Sequence, residues 1–166
     1  MKRLFYFFLL IFAFFWLETG LRRVFPGNNF IPQLVLILLV VFSIRVNFQE
    51  LLATILFGGL LGELFSGLYF GAAIWSMLIC VPLARFAWSN PTLRSFSLSH
   101  IWFIGLIATA AYPLAAYLYS LVISGLGFMS RPMFFNFYSL EILWQIIANL
   151  CLIYAVNWLV KFIFHE

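Results

Sequence analysis

Long apolar runs separated by short polar breaks make up almost the whole chain. A membrane-spanning helix needs about 20 predominantly apolar residues. The runs predict six such helices, at about 4–20, 30–44, 50–66, 68–87, 101–124 and 139–160, the second and third of them short. Between them lie a turn-forming P-G-N-N sequence at 26–29, a short polar link at 45–50 and a longer polar stretch at 88–100. The pattern therefore predicts an all-α integral membrane protein of about six transmembrane helices, with residues 1–166 forming one domain.

The composition excludes a soluble domain and a β-barrel. Of the 166 residues, 66% are hydrophobic and only 8% are charged, whereas a soluble domain carries about 25% charged residues. Strands of a membrane barrel alternate apolar and polar residues over about ten positions, and the runs here are longer and continuously apolar. Any chemistry would therefore have to come from residues within the membrane.

The few cationic residues predict the orientation of the chain. The net charge of +4 indicates cytoplasmic helix ends and contacts with anionic membrane lipids, and no nucleic-acid partner. If the N-terminus is inside, the inner side collects Lys2, Arg3, Arg45, Arg85, Arg94 and Lys161, and the outer side collects Arg22, Arg23 and Arg131. This bias of six against three favours both termini in the cytoplasm.

An acid surrounded by glycines stands out in the third run, G-L-L-G-E-L-F-S-G-L-Y-F-G at 59–71. On a helix, Gly59, Glu63 and Gly67 lie four residues apart and share a face with Ser66. Small residues let two helices approach closely in lipid, and an intramembrane acid is costly unless it is solvated, protonated or paired. We expect this face to point at protein, with Glu63 in a pocket open to the outer side. The alternative is an acid that merely sits at the membrane interface near the helix end.

Two further polar features lie on helices. In the last run, Glu141, Gln145, Asn149, Ile153, Asn157 and Lys161 step by four residues and form one ridge, five of whose six members are polar. Its informative member is Asn149, for which an interhelical hydrogen bond is favoured over a ligand contact. Glu18 and Arg22, four residues apart on the first run, predict an ion pair.

The outer segment, residues 125–138, is unusually apolar for a loop. Its candidate contact residues are Phe128, Met129, Arg131, Phe134, Phe135 and Phe137. Two interpretations stay open. The segment lies in the lipid interface, where aromatic side chains are common, or it docks the membrane-proximal segment of a partner.

Nothing in the sequence demands an enzyme, a metal or a cofactor. Cys80 and Cys151 lie inside apolar runs without metal or disulfide spacing. His100 and His165 have no partner at catalytic or metal spacing. An intramembrane enzyme would need paired acids, a serine with a base or a histidine cluster, and no motif indicates one.

The third run resembles a signature of the MreD family of rod-shape-determining membrane proteins. In that family a proline opens the second span, and the third span carries G-x-x-x-D-x-x-S-G-x-x-x-G. Here Pro32 stands in I-P-Q-L-V-L-I-L-L, and the third run matches the spacing with Gly59, Glu63, Ser66, Gly67 and Gly71, with glutamate where aspartate is usual. The late asparagine Asn149 also fits. The resemblance extends from about residue 30 to the end and is strongest over 32–87.

The resemblance implies a non-enzymatic scaffold of the bacterial cell-elongation machinery for peptidoglycan synthesis, in the cytoplasmic (inner) membrane. Its partners would be a bitopic MreC-like protein, the actin-like MreB and the peptidoglycan synthases RodA and PBP2. Docking would use the outer segment and the glycine face of the third span. The implied fold is similar to the substrate-binding S component of energy-coupling-factor vitamin transporters, whose pocket opens outward. Whether the chain forms a homodimer is left open.

A solute-binding S component of a vitamin importer is the alternative function, because its composition would be similar. S components typically carry an A-x-x-x-A face on the first span for docking the coupling subunit. The first run here, L-F-Y-F-F-L-L-I-F-A-F-F-W, has the single alanine Ala13 among bulky phenylalanines, which would block so close an approach. This favours the scaffold.

Overall fold

The computed structural model describes residues 2–24, 33–66, 71–89, 97–128 and 140–164. These segments form six α-helices: α1 Lys2–Val24, α2 Leu34–Ser43, α3 Phe48–Ser66, α4 Ala72–Ser89, α5 Ser97–Gly125 and α6 Leu140–Phe164. No strand occurs in these segments. The all-helical prediction is confirmed, and each of the six apolar runs contributes one helix.

Within the described residues, four helices are long and apolar enough to cross a membrane. The qualifying stretches are Phe5–Val24, Ala72–Ser89, Trp102–Gly125 and Leu143–Phe162, in α1, α4, α5 and α6. The helix α2 has only 10 residues, about 15 Å at the α-helical rise. The helix α3 has 19 residues and carries the two acids Glu50 and Glu63.

The short helix α2 lies at the centre of the bundle and contacts all five other helices. Its sequence is LVLILLVVFS, and all ten residues are buried. A helix that is apolar all round is stable only when it is enclosed, which explains its position. Phe42 near its end packs against Phe7 of α1 with ring centroids 4.0 Å apart, and both side chains are fully buried.

Hydrogen bonds fix the directions of the helices. The backbone N–H of Gln33, just before α2, donates to Asn149 of α6. Arg45, just after α2, donates to Asn157 of the same helix. The later residue near α2 therefore contacts the later residue of α6, so the two helices run in the same direction. Arg85 of α4 bonds to the carbonyl of Val46, so α4 also ends where α2 ends.

The bundle therefore has two distinct ends. At the capped end α2 begins after Gln33 and α4 begins at Ala72. At the basic end α2 and α4 finish, near Arg45 and Arg85. The helix α5 runs the opposite way to α6, since Gly105 packs against Ile153 while the later Thr109 bonds to the earlier Asn149.

Cations collect at the basic end. The Arg45 guanidinium donates to Asn157 Oδ1 at 2.8 Å, and that of Arg85 donates to the Val46 carbonyl at 2.9 Å. Lys161 lies in the last turn of α6. Cations are favourable where helices end, because the carbonyl groups there carry partial negative charge. Arg22 and Arg23 end α1 at the capped end, and Arg94 and Arg131 lie outside the described residues.

Candidate functional site

The glycine face of α3 is packed against α4 of the same chain. A Cβ atom added to Gly59 would lie 2.9 Å from the Cα of Ile74, and one added to Gly62 would lie 3.3 Å from the Cβ of Ala73. The first distance is far shorter than a carbon–carbon contact at optimal separation, about 3.5–4.0 Å. Only glycine therefore allows the two backbones to approach this closely at residue 59.

Gly58 plays a similar part on another side of α3. An added Cβ there would meet Leu39 Cδ1 at 3.2 Å and Val35 Cγ1 at 3.3 Å, both on α2. Successive glycines thus fit α3 against two neighbouring helices. As expected from the sequence, this part of α3 faces protein. The protein that it faces is other helices of the same chain, α4 and α2.

Glu63 caps the start of α4. Its Oε1 accepts hydrogen bonds from the backbone N–H groups of Ala73 at 2.5 Å and of Ile74 at 3.2 Å. The first N–H groups of a helix have no intrahelical partner. The start of α4 reads G-A-A-I-W at 71–75 and supplies no capping side chain of its own. A carboxylate from α3 fills that need, and its charge is favourable at a helix N-terminus.

The site around Glu63 is enclosed. The residue is 7% exposed, although α3 ends only three residues later, at Ser66. Its second oxygen, Oε2, is buried and accepts no hydrogen bond from the described part of the chain. The acid is therefore a buried group between two helices, which argues against the interpretation of an acid merely at the interface.

Gly71 forms the turn into α4. Its φ of +99° is in the left-handed region, which glycine adopts at little cost. The Tyr119 hydroxyl of α5 would lie 2.5 Å from a Cβ added there. The turn is therefore fixed by both backbone conformation and packing. Of the other signature residues, Pro32 and Gly67 lie outside the described residues, as does the side chain of Ser66.

Glu18 repeats the arrangement on α1. One carboxylate oxygen accepts from Arg22 at 2.9 Å, as the sequence predicts. The other accepts from the backbone N–H of Val35, in the first turn of α2, at 3.2 Å. In both pairs of helices, an acid near the end of one helix caps the beginning of the next.

The sequence pattern did not predict this second cap. The sequence does contain a signal for it. Glu18 lies about two turns before the end of α1, and the apolar helix α2 that follows has no capping side chain of its own.

Asn149 joins three helices at the capped end. Its Oδ1 accepts from the Gln33 N–H at 2.9 Å, and its Nδ2 donates to Thr109 Oγ1 at 3.2 Å. Thr109 in turn donates to the Gly105 carbonyl at 2.7 Å. Asn149 is 1% exposed and makes the interhelical hydrogen bonds expected of it. The ridge on α6 therefore ties α2 to the bundle, with Asn149 near one end of α2 and Asn157 near the other.

A small crevice lies beside Asn157. Its volume of about 10 Å³ is at the lower limit for holding one water molecule. The lining residues are Val40, Val41, Ile44, Ile104, Ile153 and Asn157. Because Asn157 is the polar member of this set, the crevice offers little for recognising a solute.

The outer segment is described only at its start. Phe128 follows α5 and is 76% exposed; Met129, Arg131, Phe134, Phe135 and Phe137 lie outside the described residues. The segments that are described contain no group of three or more His, Cys, Asp or Glu residues able to hold a metal ion.

Comparison with known proteins gives no relative: no family model, no curated protein and no solved structure matches the chain.

Proposed function

We propose that the chain is a non-enzymatic scaffold of the bacterial cell-elongation complex, and that it docks a bitopic MreC-like partner in the inner membrane. In this proposal all six helices are embedded in the membrane. MreB, RodA and PBP2 are the further partners that the resemblance to the MreD family suggests.

The roles of the signature residues in the α3–α4 hairpin carry this proposal. Gly59 allows the close approach of α4, Glu63 caps its first turn, and Gly71 forms the turn between the helices. Three positions of the signature thus have three different structural roles, and each role requires its residue at that distance from the others along the chain. This requirement supports the interpretation that the signature reflects the architecture of the family.

The packing of α3 changes where a partner would bind. The resemblance to the MreD family implied docking on both the outer segment and the glycine face. Because α4 already covers Gly59 and Glu63, a partner helix has no access to that face. The outer segment, whose described start includes the exposed Phe128, is therefore the docking surface in this proposal.

The distribution of cations supports an orientation with the basic end in the cytoplasm. Arg45, Arg85 and Lys161 lie toward that end, and cytoplasmic helix ends are rich in Lys and Arg. Both termini are then cytoplasmic, and the capped end with Phe128 faces outward. A bitopic partner would meet the outer segment at the external membrane surface.

The surface of α1 bears on the alternative, an S component of a vitamin importer. Ala13 is exposed, but its exposed neighbours include Phe12 at 48% and Trp16 at 50%. These bulky side chains would hold a docking helix away from α1. This favours the scaffold over the importer subunit.

A pair of matched variants tests the proposed docking surface. Phe128→Ser removes an exposed aromatic at the capped end, and Phe162→Ser removes one of similar exposure, 67%, at the basic end. Each tagged variant is purified from native membranes with its partners, and the bitopic partner is quantified. Phe128→Ser should reduce its recovery several-fold while Phe162→Ser does not. Equal recovery with both variants at equal expression contradicts this docking surface.

A further inference from the structure

The last turns of α6 place a cation beside two exposed aromatic rings. Lys161 lies in the last turn and its side chain is exposed. Trp158 and Phe162 are each 67% exposed, and their rings stack with centroids 5.8 Å apart and an interplanar angle of 15°. The basic end of α6 therefore presents a flat apolar surface next to a positive charge.

Arg45 brings a second positive charge to the same part of α6. Its guanidinium donates to Asn157 Oδ1 at 2.8 Å. Asn157 and Lys161 are four residues apart on the helix, so they are neighbours on one face, with about 5–6 Å between their Cβ atoms. A single anion placed at this part of α6 would interact favourably with both cations.

The described acidic side chains do not balance the charge of the basic end. Glu18 and Glu63 cap helices at the opposite end of the bundle. Glu50 lies at the basic end and accepts from the Asn47 N–H at 3.4 Å. The described cationic side chains of this end are Arg45, Arg85 and Lys161. Within the described part of the chain, the basic end is thus positively charged.

We propose that the basic–aromatic surface formed by Arg45, Lys161, Trp158 and Phe162 binds an anionic phospholipid. The lipid phosphate would lie against the two cations, and an acyl chain would lie against the stacked rings. This inference rests on the membrane embedding and the orientation in the proposed function, and it does not depend on the docking of a bitopic partner.

The chemistry of the surface favours a lipid over a soluble acidic protein. Anionic lipids of the cytoplasmic leaflet attract Lys and Arg that lie near the membrane surface. Tryptophan is common at the level of the lipid headgroups. A lysine near a helix end can lay its apolar stem along an apolar surface while its ammonium group reaches the headgroups. Lys161 next to Trp158 and Phe162 combines these features in one place.

The test is lipid binding by the purified protein in detergent, counted by native mass spectrometry. The two probes are anionic phosphatidylglycerol and zwitterionic phosphatidylcholine with the same acyl chains, and wild type should bind the first more tightly. Lys161→Gln should weaken the binding of phosphatidylglycerol about five-fold, which corresponds to the roughly 1 kcal/mol that one Lys contributes near an anionic surface. Arg23→Gln is the matched control, because it removes an exposed cation at the capped end, and it should leave this binding unchanged.

Trp158→Ser tests the aromatic half of the surface. It removes one ring of the stacked pair and should also weaken the binding of phosphatidylglycerol, whereas unchanged binding would contradict the placement of the acyl chain.

Equal binding of the two lipids by wild type overturns the proposal, and is the result expected of a surface that meets an acidic protein instead. Unchanged binding in Lys161→Gln, or an equal loss in Arg23→Gln, overturns it as well, because the lipid would then bind elsewhere. No partner protein is present in this experiment, so these results are independent of the docking proposal.

Discussion

Replacing Gly59 by alanine tests the close packing of α3 against α4. The added Cβ would lie 2.9 Å from the Cα of Ile74, a backbone atom that cannot rotate away. The helices must therefore separate by several tenths of an ångström. Overpacking of this kind costs about 1–3 kcal/mol, and it is partly offset because alanine favours a helix by about 1 kcal/mol over glycine.

The matched control is Gly20→Ala on α1. Gly20 lies within the helix, and an added Cβ there meets no neighbouring atom of the described residues within 4 Å. Both variants gain the same helix propensity, so the difference between them isolates the contact with Ile74. That difference should be about 1–3 kcal/mol, or roughly 5 °C in Tm for a chain of this size.

The assay is thermal unfolding of each purified variant in the same detergent, followed by circular dichroism. Gly20→Ala should match or exceed wild type, and Gly59→Ala should fall below both. Gly62→Ala should lie between them, since its Cβ would be 3.3 Å from the Cβ of Ala73. Equal Tm values for the Gly59 and Gly20 variants would refute the close approach of the two helices.

Three further changes can be measured with the same unfolding assay. Asn149→Leu leaves the Gln33 N–H without its acceptor and should cost about 1–3 kcal/mol; wild-type stability would contradict the role of that bond. Gly71→Ala places a side chain at φ +99° and should cost at least about 1–2 kcal/mol, so a loss below 0.5 kcal/mol, on the order of the assay error, would argue against the turn. Glu18→Leu removes the cap on α2 and should cost about 1–2 kcal/mol, whereas Glu18→Gln keeps an acceptor oxygen and should cost less. Equal losses for the two Glu18 variants would mean that the cap contributes nothing.

The helices could be predicted from the sequence because each one contains a long apolar run. Their bounds were less accurate for a physical reason. The helix α5 begins at Ser97, four residues before the predicted start, because the polar residues S-L-S-H continue the helix beyond the apolar run. The helix α4 begins at Ala72 and not at 68, because the backbone turns at Gly71.

The central position of α2 could also have been predicted from the sequence. Its nine consecutive apolar residues show no polar face, and such a helix is enclosed by others. From the sequence, this run was noted only as short for a membrane span. The structure shows that all ten of its residues are buried among the five other helices.

The roles of the acids depend on contacts between helices, which a single sequence does not reveal. The spacing around Glu63 indicated a face toward protein, and that was correct. Its partner is the backbone of Ala73 and Ile74, whose N–H groups exist in every helix and leave no signal in the sequence. The same holds for Glu18 and Val35.

The most direct test of the proposed function is the set of proteins that accompanies the tagged chain from its native membranes in mild detergent, identified by mass spectrometry. The scaffold proposal predicts a bitopic coiled-coil partner together with peptidoglycan synthases, in amounts comparable to the chain itself. An ATPase pair with a coupling membrane subunit would contradict it and identify the chain as the binding subunit of an importer.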